Sequence, residues 1–172
     1  MDAASRIFID YSVRQLQVLA GRIDVCLGRL SEEQVWMRGG ENENAAGNLV
    51  LHLCGNVRQW IVSGVGGASD TRHRDAEFAA REGASIAGLK EKLVAAVSDA
   101  VGTLQATSDE RLLERITVQQ REYTVLEAVY HVVEHFAMHT GQIIFATKML
   151  TGDDLGFYAH LRTARANDSK SV

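Results

Sequence analysis

Apolar residues recur every three or four positions over most of the chain, the period of a helix that buries one stripe. From about Ala4 to Leu30 that stripe is Leu16, Leu19, Ile23, Leu27 and Leu30. Ser31, with Gln34 three residues on, reads as a capping box opening a short helical turn through Trp36. Gly39 to Asn44 break the period and form a loop. A second helix is predicted from about Ala45 to Ser63, ended by Gly64, Gly66 and Gly67. Ser69 to Gly83, dense in Arg, Asp and Glu, reads as a mostly solvated connection. Leu89, Leu93, Val97, Val101 and Leu104 mark a third helix over Ala84 to Ala106. Ile116 to Tyr123 has the length of a short local hairpin. The fourth helix, Thr124 to Leu150, is the longest apolar segment, and a short helix is expected around Tyr158 to Ala164. No repeat or low-complexity tract interrupts the series. The expected fold is all-α: one domain spanning residues 1–172, a four-helix bundle whose long second connection permits a crossover.

Composition sharpens this reading. The chain of 172 residues contains no proline and 15 glycines, so reversals fall to glycine. The formal net charge is -4. Nucleic-acid binding is not expected, because neutralising phosphates needs clustered cations. No run of about 18 uncharged apolar residues exists, so no membrane span is expected. No basic segment followed by an apolar run opens the chain, and the protein reads as cytoplasmic. The two cysteines, Cys26 and Cys54, match neither a disulfide framework nor a zinc motif and read as core residues.

The chemistry lies in the histidines. His131, His135 and His139 sit at i, i+4 and i+8 on the fourth helix and span about 80° of one face. Adjacent pairs can chelate one ion; the outer pair, about 12 Å apart along the axis, cannot. Gln142 lies on the same face. His131-Val-Val-Glu134-His135 matches the inverted zinc-protease pattern, but that scheme wants a later glutamate and none follows Glu134. No glutamate has a histidine three residues on, which removes the di-iron carboxylate bundle. A third ligand must come from another helix, and His52 is the candidate. Val50, Cys54, Val57 and Ile61 lie on the opposite side of its helix, so periodicity alone allows His52 to face either water or a site. Cys54 points about 200° away from His52 and cannot share its ion. His73 and His160 read as surface residues.

Asn48-Leu-Val-Leu-His52-Leu-Cys-Gly55-Asn56-Val-Arg-Gln-Trp60, followed by His135-Phe-Ala-Met-His139-Thr-Gly141-Gln142, resembles the DinB/YfiT-like family of metalloenzymes. Leu150-Thr-Gly-Asp-Asp-Leu-Gly-Phe-Tyr158 and Arg74-Asp-Ala-Glu-Phe78 are similar to one of its subgroups. The likeness covers most of Asn48 to Leu161; the first helix matches only as an amphipathic helix. It implies a four-helix bundle holding a divalent metal, zinc or nickel, through His52, His135 and His139. His131 has no ligand counterpart and is expected to line the pocket. Gln142 and Asn56 are the candidates to orient an imidazole or a ligand by hydrogen bonds. Characterised relatives include bacillithiol transferases and a mycothiol-dependent isomerase. The resemblance therefore implies an S-transferase that joins a low-molecular-weight thiol such as bacillithiol to an electrophile. The alternatives are a hydrolase using metal-bound hydroxide and a non-catalytic metal-binding dimeric stress protein. A homodimer is expected because Leu126, Val129, Val133, Phe136, Ile143 and Ile144 leave little of the fourth helix polar.

Overall fold

The computed structural model describes residues 2–159 and 161. Four long helices carry the chain: α1 (Ala3–Leu27), α2 (Ala46–Val57, continued by a π-helical stretch, Arg58–Val65), α4 (Ile86–Gln105) and α6 (Val125–Thr151). Between them lie a 3-10 turn (Gln34–Trp36), the short helices α3 (Arg74–Ala79) and α5 (Asp109–Leu113), and a hairpin of β1 (Arg115–Val118) and β2 (Arg121–Thr124). The short helix expected from Tyr158 to Ala164, and His160 with it, falls largely outside the described residues.

Local chemistry sets the boundaries. Asp2 accepts from the Ser5 N–H at the start of α1, and Ser85 from the Gly88 N–H at the start of α4. At α6 the Thr124 hydroxyl accepts from the Glu127 N–H while the Glu127 carboxylate accepts from the Thr124 N–H, a complete capping box. That helix ends at Gly152 with φ 75°, a left-handed cap that glycine takes without a Cβ penalty. The sequence places the end of α1 at Leu30, but the regular helix stops at Leu27.

α1 packs against α4 and α6, and α2 packs against the same two helices, so α1 and α2 stand on one diagonal of the bundle. Gln34 reaches the Leu150 carbonyl, placing the C-terminal ends of α1 and α6 together, while Lys90 near the start of α4 pairs with Asp24 near the end of α1. Thus α1 and α6 run one way and α2 and α4 the other. The steps between diagonal partners are made by the loop after α1 and by the α5–hairpin segment. The second connection, which the sequence singles out as long enough to cross over, does so: it leaves the end of α2, where Gly66 meets Thr103, and returns to the start of α4, where the Trp36 ring at Gly47 donates to the Ala84 carbonyl, so that the neighbours α2 and α4 run parallel. The core is one cluster in which Ile9, Leu16, Ile23, Leu53, Ile61, Leu89, Leu104 and Phe136 are fully buried.

The connection from Ser69 to Gly83 is mostly exposed, as its composition suggests, but it also holds α3 and buries Glu77. The Arg72 side chain is 4 % exposed. These two charges depart from the solvated face because Arg72 and Glu77 neutralise one another and turn inward. No helix among the described residues is long and apolar enough to cross a membrane.

Candidate metal centre

His52 on α2 and His135 and His139 on α6 point into the seam between those helices, and their ligand nitrogens all lie within 4.8 Å of one another. The His135 Nε2 is 3.1 Å from the His52 Nε2 and 3.2 Å from the His139 Nε2. Zinc with Zn–N bonds of about 2.05 Å in tetrahedral angles would separate its nitrogens by about 3.3 Å. His52 is 4 % exposed, which settles the choice that periodicity leaves open. The other two imidazoles are half-buried, so the cluster is reached from outside on the α6 side.

The outer nitrogens fix the tautomers. Glu77 Oε2 lies 3.0 Å from His52 Nδ1, and Gln142 Oε1 lies 2.6 Å from His139 Nδ1. Gln142 Oε1 accepts from His139 Nδ1–H; at His52 Nδ1 the Arg72 Nη2, a donor, stands at the same 3.0 Å as the Glu77 oxygen, and the full charge on that carboxylate favours the Nδ1–H tautomer, in which each Nε2 presents a lone pair. His135 Nε2 faces both lone pairs. If it carries a proton it can satisfy only one of them; if it does not, three lone pairs converge. A cation at the centre accepts all three, and the donor set therefore fits a divalent metal. Three neutral imidazoles with outward positions left open are the donor set of catalytic rather than structural zinc.

Burial and the neighbouring histidines and Arg72 push His135 down to about 3. Burial also lowers His139, against the hydrogen bond it donates to Gln142, and lowers His131 against the charge of Glu134. All three are held neutral, the state in which an imidazole ligates.

The support behind His52 was not legible in the sequence. Arg72 donates from Nε and Nη2 to the two oxygens of Glu77, both at 2.8 Å, a bidentate pair. Burial raises the Glu77 carboxyl, but hydrogen bonds and charge from Arg72 and His52 outweigh it, and the net direction is down. Phe78, next to Glu77, packs its ring 4.6 Å from that of His52. Gly55, one turn from His52, makes this possible: a Cβ there would stand 1.9 Å from Glu77 Oε1. Asn48, fully buried, donates to the carbonyls of Glu77 and Ala80 and anchors α3 on α2. Gln59 accepts from Arg72 at 3.0 Å and from Gln119 at the hairpin turn at 2.8 Å.

The remaining expectations sort as follows. Gln142 contacts His139 directly. His131 stacks on Trp60 with centroids 4.2 Å apart and lies 5.6 Å from the His135 ring, so it lines the seam outside the three-nitrogen cluster. Asn56 is buried with its Oδ1 unpartnered, and no hydrogen bond joins it to the imidazoles. His73 is exposed. Cys26 is fully buried, and burial pushes the Cys54 thiol up to about 12, so neither offers a ready thiolate.

Residues 3–164 match the family described as a protein of unknown function, DUF1572. The chain belongs to that DinB-like family. The fold is similar to that of a conserved protein of Enterococcus faecalis, with TM-score 0.73 and 15 % identity over 89 % of this chain and 99 % of that one. It is also similar to a DinB-like protein of Bacillus subtilis, with TM-score 0.67 and 17 % identity over 86 % and 96 %. No curated protein matches the sequence. The DinB-like bundle and a three-histidine cluster compatible with metal binding are therefore both features of this chain.

Proposed function

We propose that the protein is a divalent-metal-dependent enzyme that transfers a low-molecular-weight thiol to an electrophile. The observation that carries the reading is the convergence of His52, His135 and His139 Nε2, two of them turned inward by acceptors on their outer nitrogens. A bound divalent ion would supply Lewis acidity that lowers the pKa of a coordinated thiol. For a free thiol with pKa of about 8.5, ionisation at pH 7 costs roughly 2 kcal/mol. The thiolate's own nucleophilicity falls with its pKa, so only part of that gain appears as rate.

The protein's own residues favour transfer over hydrolysis. An ion held here would ionise water as readily as a thiol, but ester or amide hydrolysis also calls for a general acid at the leaving atom, and the carboxylate nearest the cluster, Glu77, is committed to Arg72 and His52 on the far side of the ring. Glu134 is exposed. Attack of a thiolate on an electrophile whose leaving group departs as an anion needs no such acid. His131, Trp60 and the buried seam exclude water on one flank.

The purified protein is expected to carry about one divalent ion per chain, read by metal analysis, with loss in His52→Ala, His135→Ala and His139→Ala. Loss in His131→Ala with retention in His139→Ala would overturn the ligand set. Conjugation of monochlorobimane should be compared for wild type and His135→Ala with bacillithiol, mycothiol, glutathione and coenzyme A. Equal rates with every thiol reject the transferase. Ester hydrolysis lost in the same variant would point to a hydrolase, and no turnover of either kind to a binding protein.

A further inference from the structure

A cleft of about 630 Å³ opens from the seam between α2 and α6, on the side of the cluster toward the C-terminal end of α6. Its wall includes Met37, Leu49, Gln142, Phe145, Ala146 and Met149. The volume lies in the range of small-molecule sites, which are concave and mostly apolar with a few placed polar groups. Its inner end is tied to the histidines twice over. Gln142 is the residue whose Oε1 holds His139, and Leu49 stands one turn before His52 on the same face of α2. At its outer end Met37, Phe145 and Met149 are 44 %, 68 % and 72 % exposed, an unusual cost for three large apolar side chains sharing one cleft.

The charged groups of the same wall are partly engaged within the protein. Arg38 donates through Nη2 to the Asn48 side chain and to the carbonyls of Phe78 and Ala80, while its buried Nε has no partner. Glu43 accepts from the Gly39 N–H and closes its own loop. Met37, Leu49, Phe145, Ala146 and Met149 supply the apolar contact on which recognition of a substrate body rests. From Gln142 to Met149 the cleft follows α6 for about 10 Å at 1.5 Å per residue, the reach of an octyl chain.

We propose that this cleft is the substrate groove: it takes the apolar body, alkyl or aryl, of a small electrophile and sets its reactive end at the three imidazoles. This rests on the reading of the histidines as a metal-dependent centre. Ala146 is the small residue that keeps the floor open. Phe145 and Met149 form one wall and Met37 the other, so chain length and girth of the electrophile set specificity.

The test uses the full-length protein labelled with [methyl-13C]methionine and titrated with n-octanohydroxamate, with acetohydroxamate as the headgroup control, in zinc-loaded and metal-free forms. The Met37 and Met149 methyl signals should move with the octyl compound, and that of Met138, exposed on α6 outside the cleft, should not. In the zinc-loaded protein the octyl compound should bind at least tenfold more tightly than acetohydroxamate. Ala146→Phe, which fills the floor, should abolish that preference. Phe145→Ala, at an exposed position where folding is not at risk, should reduce it several-fold. Equal affinities for the two hydroxamates, or octyl-induced shifts as large at Met138, would overturn the groove while leaving the metal centre standing. Octyl-induced shifts at Met37 and Met149 that are the same with and without zinc, with no acetohydroxamate binding, would uphold the groove and overturn the metal reading.

Discussion

At the scale of single residues the site depends on one absent methyl group. Gly55→Ala would place its Cβ against Glu77 Oε1, and what must give is the far end of a flexible side chain rather than backbone. The protein should therefore fold, with Glu77 swung off His52. Glu77→Ala removes the same acceptor directly. Both variants are expected to bind metal 10–100-fold more weakly, the usual cost of losing the group behind a ligating imidazole, with helical circular dichroism unchanged. Glu77→Gln keeps an acceptor for His52 Nδ1 and should recover part of the loss. Metal titration followed by the visible spectrum of cobalt(II) checks this, and unchanged affinity in Gly55→Ala would reject it. The pH dependence follows from the same residues. His135 is held at about 3, far below its ordinary 6.5, and His131 and His139 are lowered too. The folded state thus favours neutral imidazoles. Their contribution to metal-free stability is intact above pH 6.5 and is lost as pH falls from there toward 3. The melting temperature of the metal-free protein should fall through that window, and His135→Gln should flatten the decline.

At the scale of elements, two junctions aim α6 and the histidines it carries. β2 passes into α6 without a loop, and Thr124 with Glu127 caps the first turn. Thr124→Ala should cost about 1 kcal/mol in urea unfolding, the usual value of an N-cap hydroxyl, while His135 and His139, several turns on, keep their metal. A loss of metal at unchanged stability would contradict that separation. The second junction is the hairpin turn, where Gln119 and Gln120 take φ of 52° and 64°. Such turns favour Asn-Gly because left-handed backbone is costly with a Cβ. Two glutamines give no such signal, which is why the sequence supports only the length of a hairpin. The Gln119 side chain accounts for its position: it donates to Gln59, the residue that in turn holds Arg72. The π-helical stretch carries Gln59 and Trp60 together, the one turned to Arg72 and the other to His131, a rephasing often found at functional sites.

At the scale of the whole molecule the apolar surface is distributed otherwise than the periodicity of α6 implied. Val129, Phe136 and Ile143 are fully buried within the bundle, and Val133 and Ile144 pack against its core. Leu126 alone of that group stays exposed, at 38 %. On α6 the exposed apolar residues are others, Tyr130, Met138, Phe145 and Met149, and a separate outward stripe lies on α1, where Ile7, Tyr11, Val18 and Val25 follow one another at helical spacing, all exposed. We place the proposed homodimer on that stripe, because four apolar residues in line are poorly solvated. Light scattering at micromolar concentration should give twice the 18.9 kDa of one chain. Tyr11→Glu with Val18→Glu should restore the single-chain mass without loss of metal, and a monomeric wild type would sink the proposal.

What is local in this fold can be read from the order of residues alone. Helical period, capping residues and glycine stops delimit the four long helices to within a few residues, because each depends on side chains no more than four positions apart. The His135–His139 pair is legible for the same reason: a step of four on one helix puts both imidazoles on one face. His52 was not decided by its own helix, since apolar residues flank it on the opposite side and either orientation satisfies the period. Only the packing of α2 on α6 turns it inward. Glu77 and Arg72 were hidden more deeply. They lie 25 and 20 residues beyond His52 in a segment whose composition is that of a solvated strap. What buries them is their mutual neutralisation and the gap at Gly55, and both exist only once α3 has folded onto α2.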